Sequence, residues 1–125
     1  MNPINHATLK QSIRLAELGY PQDETDCVWV KYWDNGEWEI VSRETVHFYP
    51  MQSNTLNYVN EQNGTTRYIT EWYAAPNAQE IKLNLVLYAR HNYCLARKTD
   101  LYLFGYVNEA QARADAKIWE LENKK

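Results

Sequence analysis

His91-Asn92-Tyr93-Cys94 is the spacing in this chain that comes nearest to nucleophilic chemistry. A thiol nucleophile needs a base within hydrogen-bond reach and an electropositive setting. An i, i+3 pair where a helix hands over to a strand seldom supplies either. His6 and His47 pair with no other ligand at metal spacing, and structural zinc usually takes four Cys or His ligands, so no metal is expected. Glu37, Glu39, Glu44 and Glu71 fall singly along apolar stretches. Two of them could converge as the acid/base pair of a glycosidase, but isolated charges on a strand usually mark its solvated face. Gly19, Gly36, Gly64 and Gly105 each answer to a cap, a turn or a bulge, and none builds a GxGxxG or P-loop pattern. No catalytic group and no cofactor is therefore assigned, and an enzyme of unknown type ranks third among the readings.

Aromatic residues are the compositional anomaly. There are ten Tyr and five Trp against two Phe, a bias towards rings with a polar handle that suit half-wet surfaces. Trp29, Trp33 and Trp38 are expected on one face of a hairpin. Tyr68 and Trp72 are expected on one face of a later strand, and together they would make an aromatic wall. Such a wall is either covered as core or left open as a stacking platform or interface hot spot, where Trp, Tyr and Arg are enriched. Arg43 and Arg67, with Arg90 and Arg97, would be its natural anion partners. The candidate ligand or interface residues are thus Trp29, Trp33, Trp38, Tyr68, Trp72, Arg43 and Arg67. The leading reading is a non-catalytic protein that binds another protein or a second copy of itself as a homodimer. The alternative is a small-ligand binder with an aromatic-lined pocket and Arg anchors.

Charge narrows the partners. The net charge is −3 and the 13 Lys and Arg are scattered, so the basic stripe of a nucleic-acid binder is missing. The apolar runs fall short of a membrane span, and the first residues lack the features of a signal peptide. Cys27 and Cys94 have no CxxC spacing and read as reduced, buried thiols of a cytoplasmic protein.

The elements that must position these residues form an α+β fold. A single domain over residues 1–125 is expected, with a mainly antiparallel sheet of two or three hairpins packed with three helices. The order is α-β-β-(β)-β-α-β-β-α. Leu9, Ile13 and Ala16, widened by Leu15 and Leu18, predict a helix over 3–18, stopped by Gly19 and Pro21. Strands at 27–33 and 38–43 flank Asn35-Gly36, the strongest short hairpin signal. A two-residue loop there sets Trp33 opposite Trp38, Lys31 opposite Ile40 and Trp29 opposite Ser42. A second turn at Asn63-Gly64 sets Val59 opposite Tyr68 and Tyr58 opposite Ile69, with a mobile loop over 51–65 as the competing reading. Thr45 to Tyr49 could extend the sheet. Asn77 with Glu80 has capping-box spacing for a second helix carrying Ala78, Ile81, Leu85 and Tyr88. A hairpin turns at Lys98-Thr99-Asp100. Ala110, Ala114, Ile118 and Leu121 give a last amphipathic helix.

This layout resembles a known group. Leu18-Gly19-Tyr20-Pro21-Gln22 closes a short helix before a Trp/Tyr-rich hairpin. Ala75-Pro76 precedes a capped helix, and a strand at 102–106 runs into an Ala-rich helix ending in Ile118-Trp119. The chain is similar in these features to small uncharacterised proteins encoded in phages and prophages of gut bacteria. The stretch 44–73 is longer than that pattern. The resemblance implies a cytoplasmic accessory protein acting by binding, and it transfers no site residue.

Overall fold

A Thr-x-x-Gln box starts the first helix. Thr8 Oγ1 accepts from Gln11 N–H at 3.1 Å, and Gln11 Oε1 accepts from Thr8 N–H at 3.0 Å, which satisfies two otherwise orphaned donors. Helix α1 therefore spans Leu9–Glu17, later than its apolar periodicity suggests, because Thr8 is extended and His6 bridges Asn77. The structure, a computed structural model, describes residues 6–49, 56–82 and 109–122. At the end of α1, Gly19 has φ 91°, and Tyr20 N–H reaches back to Leu15 O at 2.9 Å. This is the left-handed glycine cap that Gly19 announces in sequence. The buried face is rotated from the expected stripe: Gln11, Ser12 and Leu15 are buried, whereas Leu9, Ile13 and Ala16 are half-exposed.

Five strands follow: β1 (Cys27–Tyr32), β2 (Trp38–Ser42), β3 (Val46–His47), β4 (Tyr58–Asn60) and β5 (Thr66–Ala74). They form one antiparallel sheet in the order β2-β1-β5-β4-β3. In a flat sheet β2 and β3 would lie four spacings apart, about 19 Å. Only one 3-10 turn, Arg43–Thr45, joins them, and at a rise of about 2 Å per residue it spans less than half of that. The sheet must curl until its two edges meet at this turn. β2 and β3 run in the same direction, like one strand broken by the turn. Every strand sends side chains into the curl: Val28, Val30, Tyr32, Val41, Val46, Val59, Ile69 and Trp72 pack together there.

Outside the curl, helix α2 (Glu109–Glu122) packs on α1. Leu15, Ala7, Ile81 and Ala114 form the apolar seam, with Tyr20, Ile118 and Leu121 against it. Gln11 Nε2 crosses the seam to Gln111 O at 2.9 Å and to Asp115 Oδ1 at 2.7 Å. Ala112 and Ala116 are buried as well as Ala110 and Ala114, so α2 is covered on more than the expected stripe. A third apolar cluster of Cys27, Ile40, Ala75 and Trp29 sits on the outer face of the sheet. Among the described residues the fold is thus α+β, with a five-stranded antiparallel sheet and two helices. The Asn77–Glu80 box is formed, with Asn77 N–H on Glu80 Oε1 at 2.9 Å and Glu80 N–H on Asn77 Oδ1 at 3.0 Å. Residues 78–80 form a turn and 81–82 are not helical; the remainder of that expected helix, the 92–106 hairpin, Cys94, His91, Arg90 and Arg97 lie outside the described residues.

Both hairpin registers differ from the simplest turn reading. At the first, Trp29 faces Ile40 and Lys31 faces Trp38. Tyr32 N–H donates to Glu37 O, and Gly36 N–H donates to Tyr32 O, both at 2.9 Å. The loop therefore holds four residues, Trp33 to Gly36, and Trp33 leaves the ladder instead of facing Trp38. At the second, Tyr58 faces Tyr68 and Val59 faces Arg67, because Glu61 N–H closes on Thr65 O around a three-residue loop. That one-residue slip exchanges the faces of the first arm. Gly36 has φ 69° with no atom within 4 Å of a substituted Cβ. Gly36→Val is therefore expected to lose stability through backbone strain rather than clash, by about 1–2 kcal/mol. Urea melts of parent and variant measure this, and equal midpoints would contradict the turn.

Candidate aromatic interface

A bulge decides which aromatics face solvent. β5 shifts register against β1 between Lys31 and Tyr32: Lys31 faces Glu71, but Tyr32 faces Ile69. The extra residue, Thr70, reverses the alternation, so Ile69 and Trp72 both pack inside the curl. Tyr68 and Trp72 thus lie on opposite faces of the sheet, and the continuous wall expected from their even spacing is split.

Inside, Trp72 meets Phe48 with ring centroids 4.7 Å apart, and the Arg43 guanidinium lies 5.7 Å from each ring. Arg43 donates to Thr25 O and Gln22 O at 2.6 Å and to Thr25 Oγ1 at 2.9 Å. It ties the closing turn to the loop before β1, and burial pulls its pKa down. Arg67 stacks 3.6 Å over the Tyr32 ring. It pairs with Asp34 at 2.9 Å and Glu61 at 3.4 Å. Its guanidinium holds the Asp34 carboxyl below the usual carboxylate range, chiefly through the hydrogen bond. Both Arg side chains thus use donors on acceptors of this chain. Trp29 and Trp38 are half-buried on the outer face. Trp29 Nε1–H reaches Ala7 O at 3.0 Å, and Trp38 tilts against Tyr73 at 5.9 Å.

The remaining outer face, across β3, β4 and β5, carries a strip of rings. His47 stacks on Tyr58 at 4.9 Å with a 14° interplanar angle. Tyr49 sits edge-on to His47 at 4.6 Å, and Tyr58 meets Tyr68 at 6.1 Å. Trp33 lies beside the strip, its backbone N–H donating to Tyr68 O at 2.9 Å. Trp33 is 66% exposed and Tyr68 49%, with Leu56 at 41%. Of the expected candidates, then, Trp33 and Tyr68 are open to solvent. Sequence reasoning missed His47, Tyr49 and Tyr58. The signal for Tyr58 was the Asn63-Gly64 turn, which aligns it with Tyr68 once a third loop residue is counted.

No family model, curated protein or solved structure matches the chain. Among the described residues, no group of three or more His, Cys, Asp or Glu could hold a metal ion. No helix among them is long and apolar enough to cross a membrane.

A separate cleft of about 480 Å³ opens between β2 and the β4–β5 turn. Tyr32, Val41 and Val59 form its buried floor, and Glu39, Asn60 and Glu61 stand at its rim. Tyr32 Oη–H donates to Glu39 Oε1 at 2.9 Å, and burial, then that carboxylate, drive the phenol pKa upward. Tyr20 is pushed up to about 12, mainly by burial. Both phenols ionise more readily in the unfolded chain, near pH 10, so their contribution is complete below that pH. It is lost as pH rises through the folded values. Absorbance titration should show at least two phenols ionising late, together with unfolding, and Tyr32→Phe should remove one. Late titration that persists unchanged in that variant would contradict the assignment.

Proposed function

We propose that the protein is a non-catalytic binding domain that joins another protein through the outer strip of Tyr49, His47, Tyr58, Tyr68 and Trp33. The observation carrying this reading is the exposure of Tyr68, at the end of a run of touching rings, and of Trp33, whose backbone bonds to Tyr68. Soluble monomers rarely leave such groups in one patch without use, and Trp and Tyr head the residue types whose removal weakens interfaces. A second copy is the simplest occupant. The five strip residues include no carboxylate, Lys or Arg, so the strip can face itself without like-charge repulsion, and isologous dimers are the commonest soluble assemblies. An accessory role of the kind found in phage-encoded small proteins, exercised inside the cytoplasm, fits a domain that works by contact.

Tyr68→Lys tests the reading. Across a two-fold interface it sets like charges near one another, so dimerisation is expected to weaken roughly tenfold or more. Native mass spectrometry reads the dimer fraction. An undiminished dimer in the folded variant would move the interface elsewhere.

A further inference from the structure

The cleft beside β2 carries a second reading, which does not depend on the strip. Tyr32 N–H on Glu37 O and Arg43 N–H on Asp26 O mark bonded pairs at the two ends of the β1–β2 ladder. Antiparallel alternation then aims the backbone groups of Glu39 and Val41 at β1, and those of Trp38, Ile40 and Ser42 away from it. Ser42 O is taken by Thr45 Oγ1 at 2.7 Å. Trp38 and Ile40 meet no strand on that side among the described residues, since β1 is the only neighbour of β2. Across the cleft, β3 pairs among the described residues with Val59 and Tyr58, so Asn60 and Glu61 extend beyond the β3 ladder. The curled sheet thus has a slot between β2 and the end of β4, lined by residues of both.

We propose that this slot receives an extended basic segment of a partner protein, added as a strand to the edge of β2 that no other strand among the described residues covers. Edge strands are ready templates for such addition, in which main-chain bonds give affinity and alternate side chains give selectivity. The cleft volume, about 480 Å³, lies in the range of ligand sites. Charge decides the partner's chemistry. Glu39 and Glu61 line the cleft and no Lys or Arg does. Glu61 is shared with Arg67, but Glu39 makes no ion pair among the described residues and is bonded to the neutral Tyr32 hydroxyl. On β2, Glu39 and Val41 point to the same side of the sheet two residues apart. An added strand therefore meets them with a Lys or Arg beside Glu39 and an apolar residue beside Val41, in a basic-x-apolar spacing.

Fluorescence anisotropy with the full chain tests this, using labelled peptides of about seven residues that carry Lys and Val two positions apart. Binding is expected to weaken roughly tenfold or more in Glu39→Lys and to remain in Trp33→Ser. N-methylation of the peptide backbone should abolish binding at alternate positions only, the signature of strand addition. Glu39 is exposed, and circular dichroism would verify that its variant is folded. Equal binding of a Glu-x-Val peptide, indifference to Glu39→Lys, or N-methyl effects without alternation would each overturn the proposal. Self-association abolished by Glu39→Lys would also overturn it, by assigning the edge to a second copy.

Discussion

Arg43→Ala is expected to lower unfolding free energy by about 3 kcal/mol. The side chain makes three hydrogen bonds, two of them at 2.6 Å, to Thr25 and Gln22. Thr25 is only 3% exposed, so its carbonyl would lose a charged donor with little water to replace it. Hydrogen bonds to a charged group contribute about 1.5–3 kcal/mol each, and a half-buried site discounts the sum. The rings of Phe48 and Trp72 would lose their cation as well. The location compounds the loss, because Arg43 opens the single turn through which the two sheet edges meet. Arg43→Lys keeps the charge but cannot reach two carbonyls and a hydroxyl with one ammonium, so it should recover less than half. Chemical denaturation of the three proteins measures this. A loss under about 0.5 kcal/mol in Arg43→Ala would show that the turn is closed by apolar packing alone.

Leu15→Ala should cost about 3 kcal/mol, within the usual span for a buried leucine. Leu15 is 1% exposed and fills the seam between α1, Ile81 and Ala114. Its small neighbours, Ala7 and Ala114, can collapse little into the cavity, which keeps the cost from the low end. Ile13→Ala is the informative control. The apolar periodicity of α1 points to Ile13 as a core position, but the folded helix leaves it half-exposed. Its truncation should cost less than about 1 kcal/mol. Equal losses at the two positions in urea melts would mean that the helix faces the sheet by its periodic stripe after all.

The contrast at α1 shows what a sequence carries and what it withholds. Gly19, the Thr8–Gln11 box and both Asn-Gly pairs are local devices, and each acts where its residue types place it. Turn chemistry locates the reversal but does not count the loop. Asn35-Gly36 ends a four-residue loop, and Asn63-Gly64 a three-residue one, because the carbonyls of Tyr32 and Glu61 capture the glycine N–H groups. Each miscount moves a register. The bulge at Thr70 has no local mark, yet it alone separates Tyr68 from Trp72. The curl of the sheet is a property of strand order, and nothing local distinguishes Ser42 to Val46 from an ordinary bend. The aromatic excess was legible as a candidate surface. Which rings stay outside was settled by the bulge and the registers, so Trp33 and Tyr68 were visible beforehand and His47, Tyr49 and Tyr58 were not.

Sedimentation equilibrium on the parent chain and Trp33→Ser, carried to high micromolar concentration, tests the interface most directly. Trp33 is 66% exposed, so its replacement should leave the melting temperature within a few degrees. A parent that associates as a dimer, with a variant at least roughly tenfold weaker and equally stable, is the predicted result. A parent that stays monomeric throughout, or a Trp33→Ser chain that dimerises as well as the parent, would contradict the aromatic strip as the surface on which this protein acts.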